Sequence, residues 1–178
     1  GLIASYARGR DYHNVYRKRL KKMVAWLEEI SSVEGCARGF SDTAPVLERA
    51  FAVKAGMGFF GKNNLFIHKK LGSFVLLAGV VTMLEIEGTD IDHGRRKNHC
   101  GTCSKCIEAC PGEALLAPYR LDARRCLAYH LIESKKPLPR DLAEKNPGYI
   151  FGCDICQDVC PHNAKKDLLC DEQFLPGK

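Results

Sequence analysis

Cys100-Gly-Thr-Cys103-Ser-Lys-Cys106-Ile-Glu-Ala-Cys110-Pro111 and, further on, Cys153-Asp-Ile-Cys156-Gln-Asp-Val-Cys160-Pro161, with Cys126 alone between them, decide the reading of this chain. Three cysteines at two-residue gaps can place their sulfurs on three corners of one iron–sulfur cubane. A fourth, followed by proline, is thrown across to a second cubane. The pattern therefore predicts two [4Fe–4S] clusters. Cys100, Cys103, Cys106 and Cys160 hold the first; Cys110, Cys126, Cys153 and Cys156 hold the second. A closed zinc site more often shows paired C-x2-C units, and disulfide frameworks belong to short secreted chains with poor cores. Cys36 and Cys170 lie outside the pattern and read as free thiols. Electron transfer is thus the first chemistry the sequence offers.

The bulk composition agrees with a globular chain that has a real core: 178 residues, 46% hydrophobic and 27% charged. No stretch reaches the ~18 apolar residues of a membrane span. The longest apolar run, residues 74–84, suits a buried strand. No export signal is visible, and ten cysteines without one argue for a reducing, cytoplasmic setting. The abrupt start without methionine and the unclosed end suggest a fragment of a larger protein. The formal charge of +6 falls to about +2 once two clusters, each 2− with its thiolates, are loaded. The basic surplus gathers at Arg8, Arg10, Arg17, Lys18, Arg19, Lys21 and Lys22, interleaved with Tyr6, Tyr12 and Tyr16, and again at Arg95-Arg96-Lys97. By itself such a cluster reads as a solvated helix face, and only as a hint of nucleic-acid contact.

Along the chain, residues 12–30 predict a helix with Val15, Leu20, Met23, Val24 and Leu27 on one side. The turn Ser41-Asp42-Thr43-Ala44-Pro45 opens a second helix over 46–55, ended by Gly56. Residues 56–64, rich in glycine, predict irregular backbone able to approach a ligand closely. A G-x-G-x-x-G after a helix lacks the context of a dinucleotide site. Strands follow over 65–68 and 73–83 around a turn at 69–72. Residues 85–98 read as a linker, and residues 99 to about 163 as the cluster domain. A helix spans 126–135, and Pro137, Pro139 and Pro147 make the rest of that segment irregular.

Five segments carry a family resemblance: Tyr6-Ala-Arg-Gly-Arg-Asp-Tyr-His13, Asp42-Thr-Ala-Pro-Val-Leu-Glu-Arg49, Gly56-Met-Gly-Phe-Phe-Gly-Lys-Asn63, Pro118-Tyr-Arg-Leu-Asp-Ala-Arg-Arg-Cys126 and Ile150-Phe-Gly-Cys-Asp-Ile-Cys156. With the placed cysteines, the chain resembles the epoxyqueuosine reductases, cobalamin-dependent iron–sulfur enzymes of tRNA queuosine biosynthesis. The resemblance implies an α+β fold: a partial nitroreductase-like cobalamin-binding domain over 1–90, then a two-[4Fe–4S] ferredoxin-like domain with a C-terminal tail over 91–178. It implies an oxidoreductase that reduces epoxyqueuosine to queuosine at the tRNA wobble position. Base-off cobalamin would be reduced through the two clusters, with an external electron donor, no membrane association and a monomeric state. Family members extend further at the N-terminus.

The same resemblance assigns roles. Asp42 becomes the proton donor, although the residues alone favour a helix N-cap. Asn64, Phe66, Ile67 and His68, with Leu77, would line the corrin from one side, and Ser5 and Tyr6 from the other. Asp154 and Ile155, between Cys153 and Cys156, would bridge the second cluster to the corrin edge. His68 is not expected to ligate cobalt in this family. The basic, tyrosine-interleaved segment would hold an anticodon loop by phosphate contacts and stacking. A pure dicluster electron-transfer protein and a corrinoid reductive dehalogenase-like enzyme are the alternatives.

Overall fold

The computed structural model describes residues 1–87, 99–164 and 171–175. Most of the proposed linker, Arg95-Arg96-Lys97 and Cys170 lie outside the described residues. The longest element is helix α1, Tyr12–Ser31. Asp11 starts it, its side chain accepting from the His13 backbone N–H at 2.9 Å, and Ser32 ends it in a left-handed conformation. Val15 and Leu27 are buried, but Met23, Trp26 and Ile30 form a second, exposed apolar stripe. Met23 was expected on the buried side. Its three- and seven-residue spacing to Trp26 and Ile30 puts it on the other face.

The strands pair in twos. Strand β1 (Leu2–Ile3) runs parallel to β8 (Tyr149–Phe151), and β2 (Ala37–Phe40) runs antiparallel to β5 (Gly79–Thr82). Strand β3 (Gly58–Phe60) pairs with β4 (Phe66–His68), and β6 (Leu115–Ala117) with β7 (Arg120–Leu121). Two expectations are corrected here. Part of the glycine-rich stretch is a strand: without a Cβ, Gly58 lets the Ile67 carbonyl and the Phe66 ring close in on it. The 73–83 run is regular only at its end, because its first residues are bonded elsewhere. Ser73 is tied to Asn163 and Gln157, while the Leu76 and Leu77 carbonyls accept from Tyr16 and Ser41. Those side-chain bonds replace a strand ladder.

Helix α2 covers Glu48–Lys54, shorter than 46–55, with no side-chain cap at Leu47. Short helices α3 (Lys105–Glu108) and α6 (Ile155–Asp158) each carry one cysteine of a run, Cys106 and Cys156. Helix α4, Leu127–Ile132, begins at Cys126, and α5, Arg140–Glu144, begins at Pro139, where irregular chain was expected. Proline fixes a φ suited to a helix start and supplies no donor there that would need a partner. The buried cluster Leu127, Leu142 and Tyr149, with Leu131, Leu138, Cys153 and Ile155 against it, forms the core of this half.

The two halves are stitched together. Besides β1 on β8, Asn163 donates to Ser73 Oγ at 2.9 Å and accepts from the Ser73 N–H at 2.8 Å. Gly72, at φ +79°, has its missing Cβ directed at the Asn163 side-chain oxygen. A cavity left by Leu127→Ala should lower stability by about 2–5 kcal/mol. Denaturant unfolding of the cluster-loaded protein checks this, and a loss below about 1 kcal/mol would remove this cluster from the core.

Candidate active site and cluster centres

The cysteine runs come together in two neighbourhoods. A cavity of about 310 Å³ is lined by Cys100, Cys103, Cys106 and Cys160 together, with Lys62 and His162 among its other walls. Burial raises the Cys106 thiol, as do the neighbouring Cys160 and Cys100. Cys110, Cys126, Cys153 and Cys156 form a second neighbourhood. Burial pushes Cys153 up to about 11, with Cys126 and Cys110 adding to the push. Cys156 is raised as well, by burial and then by Cys153, Cys126 and Cys110. Such thiols stay protonated until iron binds, so loading a cluster releases protons. Among the described residues no three His, Cys, Asp or Glu groups converge as they would on a single ion. Four cysteines around one open cavity suit a wider body, and the donor set fits a cubane.

A tight loop from the first half reaches both cysteine runs. The Gly61 N–H bonds to the Leu65 carbonyl, and Asn64 sits at φ +62°. Between them Lys62 Nζ donates to the Gly101 and Cys103 carbonyls at 2.7 and 2.8 Å. Asn63 Nδ2 donates to the Cys156 carbonyl at 3.3 Å. Sequence reasoning gave Lys62 and Asn63 no role of their own. The available signal was a lysine–asparagine pair held in a turn between two strands.

Asp42 is not a helix cap. It lies in a bent loop at φ +59°, six residues before α2, and its side chain is 62% exposed. Its Oδ2 accepts from the Tyr12 hydroxyl at 2.7 Å and lies 3.3 Å from His13 Nε2. His13 Nδ1 lies 2.8 Å from Asp11 Oδ1. Burial and the bond to Asp42 hold the Tyr12 hydroxyl well above its ordinary range, so it remains a neutral donor. The other oxygen of Asp42 has no hydrogen-bond partner among the described residues.

The residues singled out for a corrin fall into two groups. Asp154, 3% exposed, accepts from both the N–H and the hydroxyl of Ser5, at 2.6 and 2.7 Å. Next to Ser5, the Tyr6 ring packs on Tyr12 and Phe151, each with centroids 6.2 Å apart. Tyr12 bonds Asp42, and Ser41 bonds the Leu77 carbonyl at 3.3 Å. One continuous contact chain thus runs from the Cys153–Cys156 loop, which also contains Ile155, to Asp42. The contacts of Asn64, Phe66, Ile67 and His68 run elsewhere. Asn64 accepts from Arg49 at its carbonyl, His68 Nδ1 accepts from the Lys70 and Leu71 N–H groups, and Ile67, 1% exposed, lines the first cysteine cavity. A second cavity, about 1190 Å³ between α1 and β2, touches His13 and Ser41 but none of the residues assigned to the corrin.

The basic segment is exposed along α1, with part of it engaged internally. Arg8 donates to the Ile3 carbonyl, Arg19 pairs with Asp171, and Tyr16 bonds the Leu76 carbonyl. Among the described residues no helix is long and apolar enough to cross a membrane.

Residues 99–163 match the family model of the 4Fe-4S double cluster binding domain, and residues 1–43 match that of epoxyqueuosine reductase QueG, DUF1730. An epoxyqueuosine reductase of Cyclobacterium marinum is 45% identical over 98% of this chain and 55% of its own length. That of Gloeobacter violaceus is 46% identical over 93% of this chain and 50% of its own. The chain therefore spans about half the length of the curated relatives it matches. The epoxyqueuosine reductase structure from Streptococcus thermophilus superposes with TM-score 0.82 at 36% identity, over 96% of this chain and 45% of that one. A crystal structure of epoxyqueuosine reductase with a tRNA-Tyr epoxyqueuosine-modified tRNA stem loop gives 0.76 at 32% identity, over 99% and 45%. Over the length described, in sequence and in fold, this chain belongs to the epoxyqueuosine reductase family.

Proposed function

We propose that this chain forms the acid-and-cluster half of an enzyme that reduces epoxyqueuosine to queuosine in tRNA, with cobalamin as the second cofactor. The observation that carries the reading is the contact chain from Asp154, between two cysteines of the second quartet, through Ser5, Tyr6 and Tyr12 to Asp42. On this reading it links a proton source, Asp42, to an electron source, the second cluster. The division near residue 90 is taken as the functional one, with the cobalamin side before it and the clusters after. The exposed Tyr6 and Phe151 rings beside the acid fit a flat, largely apolar macrocycle. Bound cobalamin would supply the reduction of the C–O bond, fed single electrons through the clusters.

Removing the epoxide oxygen takes two electrons and two protons and leaves an alkene and water. Asp42 supplies a proton to the departing oxygen from the carboxyl oxygen that Tyr12 and His13 leave free. General acid catalysis of this kind is worth roughly 10²–10⁴-fold. Tyr12 fixes the carboxyl group in place, and His13, held on its other side by Asp11, sits where it can return a proton to Asp42. The exposed cations of α1, Arg17, Lys18, Lys21 and Lys22, suit the phosphates of an anticodon loop. A protein serving only to pass electrons leaves the Asp42 arrangement without a purpose.

Two measurements test this. Anaerobic turnover of the intact, cluster-loaded protein with cobalamin and epoxyqueuosine-containing tRNA should yield queuosine by nucleoside mass spectrometry. Asp42→Asn should slow it by about 10²–10⁴-fold with cluster content unchanged. Absence of queuosine from the fully loaded wild type would sink the substrate. For the ligand sets, Cys126→Ser and Cys153→Ser should abolish the same cluster signal in electron paramagnetic resonance, and Cys160→Ser the other. If Cys160→Ser and Cys153→Ser removed the same signal, the crossed assignment would be wrong.

A further inference from the structure

Lys62 is a buried cation with no anion paired to it among the described residues. Its residue is only 9% exposed, and the two acceptors of its ammonium are backbone carbonyls, Gly101 at 2.7 Å and Cys103 at 2.8 Å. None of the ion pairs among the described residues includes it. A buried charge left uncompensated is costly, and proteins rarely keep one without a partner. Two of the ammonium's three donors are used by the carbonyls, and the side chain lines the cavity that Cys100, Cys103, Cys106 and Cys160 share.

We propose that Lys62 is the fixed counter-charge of the first cluster and sets that cluster's reduction potential. A [4Fe–4S]²⁺ core with four thiolates carries 2−, and taking one electron from an external low-potential donor makes it 3−. A cation held beside the cavity favours the more negative state and so raises the potential. The lysine is positioned for this by its own turn. The Lys62 carbonyl accepts from the Tyr119 N–H at 3.1 Å, and Asn63 next to it is anchored on the Cys156 carbonyl. The effect is selective, because Lys62 lines the first cavity while what the same turn gives the second quartet is the neutral amide of Asn63. Lys62 acts through the cluster as a positioning and tuning residue. The inference rests on the double-cluster reading and on neither the tRNA substrate nor cobalamin.

The test is a dithionite redox titration of the intact, cluster-loaded protein followed by electron paramagnetic resonance. The first cluster is identified as the signal that Cys160→Ser loses, and iron and sulfide per chain report loading. Lys62→Gln keeps a donor for the carbonyls but removes the charge. It should shift the first cluster to more negative potential and leave the second unmoved, while Lys62→Arg stays near wild type. If Lys62→Gln will not load the first cluster but Lys62→Arg does, a cation is required to hold it, which also supports the proposal. Unchanged potentials in a fully loaded Lys62→Gln protein overturn it. So does loss of the first cluster in Lys62→Arg and Lys62→Gln alike, which would make the lysine's shape rather than its charge the requirement. A failure of wild type itself to carry two clusters would instead fault the cluster reading.

Discussion

A cubane needs four thiolates, and each cysteine run brings only part of a set to its own cavity. The arrangement that follows, with Cys160 from the second run lining the cavity of the first, constrains everything around it. The two runs must lie against each other, so α3 and α6 pack together. The segment between them must double back to bring in Cys126. Gly112, just after Cys110-Pro111, lies so close to the Arg125 carbonyl that a Cβ there would collide with it. Cys110 and Cys126 are thereby drawn into one neighbourhood by backbone contact, before any metal is considered.

The first half of the chain is shaped to this centre. Its opening strand adds to β8, its 61–64 turn clasps both cysteine loops, and Ser73 is held by Asn163 and Gln157. The acid loop is then fixed relative to the second quartet through Ser5 and the Tyr6–Tyr12 ring contact. The link between the Asp42 loop and the second quartet is here a matter of short, mostly polar bonds across the two halves, with little shared hydrophobic core among the described residues. A well-defined cluster of buried apolar side chains, Leu127, Leu142 and Tyr149, backs onto Cys153.

The double-cluster domain, helix α1 and the family were legible in the sequence because each is carried by local spacing or by short runs of residues. Strand pairing was not. The 73–83 run has strand composition throughout, yet its first residues are claimed by side chains far away in the chain, which no local pattern records. The same holds for the 56–64 stretch. Its glycines suggested room for a ligand, whereas Gly58 and Gly61 make room for Phe66, Ile67 and Asn63 of the same hairpin. Asp42 sat in a sequence context that fits a cap, and only the position of α2 and the Tyr12 hydroxyl separate the two roles. Lys62 was passed over since a lone lysine in a turn is ordinarily solvated. Its burial against the cysteine loops is a tertiary fact.

The interleaving of ligands also bears on how the protein is made. Cys100, Cys103 and Cys106 leave the ribosome well before Cys160, and Cys110 before Cys153 and Cys156, so neither site is complete until nearly the whole cluster half has been synthesised. Three cysteines waiting for a distant fourth are open to oxidation and to capture of the wrong metal. Until then the loops that close over the cavities have little apolar burial to hold them. With the crossed sets, neither cluster can be fully ligated before synthesis has passed Cys156 and Cys160.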